Sequence, residues 1–89
     1  MQLKHMHASV IENNGVLVLV SYSTPVVLYA RGNIIFGSMW DCSVTTLKHV
    51  KTFLTEFTYL KYCKDKVNKA FLLEQIKQGK IGIINSIAY

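Results

Sequence analysis

Acidic residues, cysteine, proline and arginine are all scarce in this chain of 89 residues: five Asp and Glu, two Cys, one Pro and the single Arg31. Each scarcity narrows the field. Two cysteines, Cys42 and Cys63, form no CxxC and give no disulfide framework. A reduced pair serving as small apolar packing residues is the reading that fits an intracellular chain. Five carboxylates, none paired at short spacing, leave little material for general acid–base work. No GxSxG elbow, P-loop or recognised zinc spacing occurs. No apolar run approaches the roughly 20 residues that a bilayer crossing needs; Val16–Val20, VLVLV, is far too short. The N-terminal stretch MQLKHMHASVIENN has no uninterrupted apolar core of signal-peptide length. Cytoplasmic residence without membrane contact is the resulting expectation.

What is abundant is apolar surface and lysine. Apolar types make up 51% of the chain, more than a small globule can hide when folding buries only about 60–65% of the unfolded surface. The surplus points to an interface, with a homodimer or another protein as its occupant. Charge is segregated along the chain. Before Thr45, Lys4 and Arg31 balance Glu12 and Asp41; from Thr45 onward eight lysines face only Glu56, Asp65 and Glu74. The whole formal excess of +5 therefore lies in the second half. Such asymmetry favours an anionic partner, against the plainer view that lysine merely keeps the protein soluble.

Periodicity gives the architecture. Met6–Glu12 reads as a first strand, and Asn13-Asn14-Gly15 as a hairpin turn, because Asn and Gly tolerate positive φ. Val16–Ser21 is continuously apolar up to its last residue, as in an interior strand covered on both faces. Tyr22–Thr24 breaks the run. Pro25–Ala30 forms a third strand, Arg31-Gly32-Asn33 a turn, and Asn33–Phe36 opens a fourth, with Gly37 at a bulge or strand end. Asp41, Ser43 or Thr45 then caps a helix whose stripe is Leu47, Val50, Phe53, Leu54 and Phe57. Lys48, Lys51, Thr52 and Thr55 fall on its other face. Tyr59–Cys63 fits a helix end or a short strand. A second helix starts at Asp65 or Asn68, buries Val67, Phe71, Leu72, Ile76 and Leu73, and stops at Gly79. Ile81–Ile84 has strand character and can rejoin the sheet. Strands followed by helices imply a single α+β domain: an antiparallel sheet of three to five strands, hairpins first, with two helices packed on one face.

Candidate chemistry is thin. His5 and His7 share a strand face, but no third or fourth ligand completes a zinc site, and no metal or cofactor is expected. Cys42, Cys63, His49 and Asp41 are the residues from which a nucleophilic site would be assembled, yet the helix places His49 more than a turn from Cys42, among lysines. The hydroxyl clusters Ser21–Pro25 and Ser43–Thr46 are explained by turns and caps. Lys48 and Lys51, with His49 beside them and Phe57, Tyr59 and Tyr62 following, offer cations and stacking rings for single-stranded nucleic acid. Trp40, preceded by Met39, is either an interface anchor or a core residue. The expected partner-binding residues are Lys48, Lys51, Lys61, Lys64, Tyr62 and Trp40.

The pattern S-Y-x-T-P-V followed by S-V-T-T-x-x-H-V-x-x-F-L is carried here by Ser21, Tyr22, Thr24, Pro25, Val26, then Ser43, Val44, Thr45, Thr46, His49, Val50, Phe53 and Leu54. It resembles a group of short uncharacterised proteins borne by phages and other mobile elements, over roughly the central two-fifths of the chain. The group brings no assigned chemistry, so no catalytic role transfers. The resemblance implies a phage accessory protein, a class in which inhibitors of host defence, including anti-CRISPR and anti-restriction factors, are common. The expected function is thus non-enzymatic: binding and inhibition of a larger host protein or nucleoprotein complex. Direct nucleic-acid binding is the alternative, and a cysteine-dependent enzyme the third reading.

Overall fold

The computed structural model describes residues 7–87. Three tight turns build its first half. Asn14 and Gly15 both take positive φ (53° and 82°), the type I′ geometry that matches strand twist, and join β1 (Ala8–Asn13) to β2 (Val16–Ser21). Arg31 and Gly32 (53° and 78°) do the same between β3 (Thr24–Ala30) and β4 (Asn33–Gly37). The middle turn differs: Tyr22, not a glycine, carries φ 57° between β2 and β3. Pro25 sits second in β3, opposite a register shift at Leu19/Val20, where a missing N–H is tolerated.

After β4 the chain leaves the sheet. Ser43 caps α1 (Val44–Phe57), its side chain accepting from Thr46 N at 3.0 Å. The ambiguous stretch after α1 is neither helix end nor strand. It is a 3-10 segment, Tyr59–Lys66, capped by Thr58 and kinked at Cys63. Asn68 caps α2 (Lys69–Lys77). Gly79 ends it at φ 77° in a Schellman arrangement, with Lys80 N bonded to Gln75 O and Gly79 N to Ile76 O. β5 (Ile81–Ile84) then returns to the sheet.

The strands lie in the order β1-β2-β3-β4-β5. The first four pair antiparallel, and β5 pairs with β4 in parallel, through Ile34↔Ile81 and Phe36↔Ile83. The fold is α+β, as expected, with a parallel final strand added to the antiparallel set. Parallel pairing follows from the intervening helices, which return the chain to the end of the sheet from which β4 began.

Two apolar clusters divide the sheet. Beneath the helices lie Val10, Leu19, Val27, Ile34 and Phe36, packed with Val50, Phe53 and Leu54 of α1 and Leu72 of α2. On the opposite face Val18 and Val20 pack with Ile87, flanked by Val16 and Leu28. Three side chains depart from their expected places. Leu73 is exposed on α2, while Thr46 and His49 join the buried side of α1.

Candidate functional site

The two halves of the quoted pattern meet in space. Ser21 closes β2 and His49 lies one and a half turns into α1; Ser21 Oγ stands 2.7 Å from His49 Nδ1. Thr46, one turn earlier on the same helix face, is the node beside them. Its Oγ1 is 3.1 Å from Ser43 Oγ, 3.4 Å from Ser21 Oγ and 3.5 Å from Cys42 Sγ. Ser21 and His49 are each only 2% exposed. No buried side-chain nitrogen or oxygen among the described residues lacks a partner, so the polar cluster is satisfied rather than stranded in the core.

Aromatic rings cover this cluster. Tyr22 lies 5.7 Å from the His49 ring and stacks on His7 at 5.6 Å. Its backbone N–H donates to His7 O at 2.7 Å. These contacts hold the residue in a left-handed conformation that an L side chain otherwise disfavours. Beside it opens a shallow cleft of about 420 Å3 lined by His7, Ala8, Ser9, Tyr22 and Ser23. The His49 pKa is lowered from its ordinary value, first by burial and then by the positive charge available to His7 and Lys48. The neutral ring is therefore the form the fold selects. Neutral imidazole has one donor and one acceptor nitrogen, and Nδ1 uses its capacity on Ser21.

The residues expected to form other sites are dispersed. Cys42 reaches Thr46 and is not paired with His49; both it and Cys63 are free thiols. Among the described residues no group of three His, Cys, Asp or Glu side chains is placed to hold a metal. His5 lies outside the described residues. His49 is not beside Lys48 on the cationic surface as expected, because the three-residue spacing Ser43, Thr46, His49 runs along the inward face of α1. That spacing, continuing into Val50 and Phe53, was the sequence signal for the cluster; the polarity of Thr and His concealed it.

The partner-contact residues divide in a similar way. Trp40 is not a surface anchor: it is buried, with its ring 4.8 Å from Phe36. Lys48, Lys61 and Lys64 are exposed, and Lys51 is half-buried on α1. Tyr62 is 81% exposed, with Lys61 Nζ 5.2 Å from its ring centroid. Phe57 instead stacks on Phe53 at 5.4 Å. Among the described residues, Lys69 makes the one lysine ion pair, with Asp41 at 3.6 Å. The remaining lysines of the helical layer have no side-chain carboxylate of the described residues within that reach.

A family model for a family of unknown function, DUF8033, matches residues 2–72. The chain belongs to this family. The DUF8033 match spans the three hairpins, α1 and the 3-10 segment, and therefore includes both Ser21 and His49; it ends within α2, before β5. No curated protein and no solved structure matches the chain.

Proposed function

We propose that this DUF8033 protein is a non-enzymatic binding protein whose helical layer docks on an acidic surface of a larger partner. The observation that carries this reading is the segregation of charge in three dimensions. Eight lysines lie on α1, the 3-10 segment, α2 and the turn after it, whereas the four hairpin strands and their turns carry only Glu12 and Arg31. A one-sided field of this kind orients a protein on an anionic surface and accelerates encounter. The sealed Ser21–His49 pair supports the non-catalytic side of the reading. A nucleophilic hydroxyl must reach its substrate, and both residues are covered. The resemblance to phage-borne proteins makes a bacterial nucleoprotein complex the first partner to test.

Tyr62 favours one second reading, direct binding of single-stranded nucleic acid. An exposed ring with a lysine over it is a stacking platform beside a phosphate contact. The two readings separate in one titration. A mobility-shift series with single-stranded DNA and RNA over rising salt gives a steeply salt-dependent shift under the second reading. No shift at low salt, together with retention of a host complex that is lost on charge reversal at Lys48 and Lys51, supports the first.

A further inference from the structure

Around His49 the fold collects a titratable ring, a turn in a disfavoured conformation and no counter-charge. The His49 ring is 2% exposed and lies 5.7 Å from that of Tyr22, which is itself 58% exposed. Among the described residues His49 makes one hydrogen bond, at Nδ1 with Ser21 Oγ. That suits a neutral imidazole. An imidazolium has two N–H donors, and the second, at Nε2, finds no acceptor there. The groups facing the ring offer no compensation. They are His7 just before β1, Lys48 on α1 itself, Tyr22 in the turn after β2, and Cys42, which reaches the cluster through Thr46. Among the described residues no carboxylate lies within ion-pair reach of either imidazole, and Asp41 is paired with Lys69.

Tyr22 is the part that can move. It holds φ 57° without being glycine. Its ring contacts with His7 and His49, and its N–H on His7 O at 2.7 Å, keep it there. The cleft lined by His7, Ala8, Ser9, Tyr22 and Ser23 leaves room beside the ring. The seat of α1 does not depend on this corner, because Val50, Phe53 and Leu54 fix the helix on the sheet with no exposure at all. We infer that His7, Tyr22 and His49 form a proton-operated clasp: when His49 takes up a proton, the Tyr22 turn lifts from α1 and releases His7, while the sheet and helices stay folded. The cost of a buried charge drives the opening, and water reaching Nε2 past the displaced Tyr22 ring relieves it. Closed, the clasp resists protonation, in line with a His49 pKa lowered first by burial and then by His7 and Lys48. The clasp does not rest on the docking proposed for the lysine face.

Native-state hydrogen exchange of the whole chain tests this, followed amide by amide by NMR from about pH 7.5 to about pH 4.5 and corrected for the intrinsic exchange rate. Protection of the Tyr22 amide should fall about tenfold per pH unit below about 6.5, until the folded His49 pKa is reached. Low urea should not change it, the mark of a local opening. The Phe53 and Leu54 amides should stay protected where that of Tyr22 is lost. In His49→Gln the pH dependence at Tyr22 should vanish. Tyr22→Gly accepts the left-handed turn and removes the covering ring, so its His49 ring should titrate closer to about 6.5 than in the wild type. A Tyr22 amide that is unprotected at neutral pH, or protected equally at every pH, overturns the inference. So does the same fall in His49→Gln, loss of Phe53 and Leu54 protection together with that of Tyr22, or an unchanged His49 titration in Tyr22→Gly.

Discussion

Ser21 and His49 are separated by 28 positions in the chain and meet at 2.7 Å. A contact of that kind fixes where α1 sits on β2, because neither group tolerates burial alone. Replacing Ser21 by Ala leaves His49 Nδ1 without its partner. The expected cost is about 1–3 kcal/mol, read as a drop in melting temperature of roughly 4–8 °C per kcal/mol for a domain of this size. Protonation acts on the same pair. Folding lowers the His49 pKa, so the unfolded chain takes up a proton more readily than the folded one. Stability attributable to His49 is present above the unfolded pKa of about 6.5 and is lost as pH falls through the lower, folded value. Urea midpoints measured from neutral to mildly acidic pH should fall in the wild type, and the fall should be smaller in His49→Gln. Both residues were visible in the sequence pattern, but their encounter was not. Polar residues on an otherwise apolar helix face look like surface until the strand opposite supplies a hydroxyl. Trp40 illustrates the converse: its identity suits an anchor or a core equally, and only Phe36 beside it decides.

Individual elements were legible where a local physical rule determines them. Asn14-Gly15 and Arg31-Gly32 supply the positive φ that two-residue hairpins require, and Gly79 marks a helix end; the N-caps were narrowed to Asp41, Ser43 or Thr45 and to Asp65 or Asn68, of which Ser43 and Asn68 are the ones used. Those caps make a quantitative expectation at this scale. Ser43→Ala should destabilise by about 1 kcal/mol through the lost bond to Thr46 N. Gly79→Ala should cost about 1–2 kcal/mol because its backbone keeps φ 77° whatever space surrounds it. Chemical denaturation of the two variants checks both values; equality with the wild type would mean that these termini contribute nothing. Less legible were the turn at Tyr22 and the 3-10 segment. Tyr22 breaks the glycine rule for positive φ and is held by His7 and His49 instead, a tertiary cause with no local signature. Tyr59–Lys66 lacks both helical and strand periodicity, and its kink at Cys63 fits the chain between two helices. The parallel pairing of β5 depends on where α2 delivers the chain, which lies beyond its own four residues.

At the scale of the molecule, the two sides of the sheet differ. Its helical side displays lysines, with Tyr62 projecting among them; on its far side Ile87 closes over Val18 and Val20 in a small apolar cluster. The exposed apolar side chains are spread over both sides: Ile11 and Ile84 lie on strands, Val44 and Leu73 on the helices and Tyr62 on the 3-10 segment. Docking through the lysine face can be read by quantitative mass spectrometry of bacterial-lysate components retained by the immobilised wild-type protein and by the Lys48→Glu/Lys51→Glu variant. The wild type should retain a defined set of components that rising salt releases and that the folded variant fails to hold. Equal retention of the same components by both proteins would contradict docking through that face.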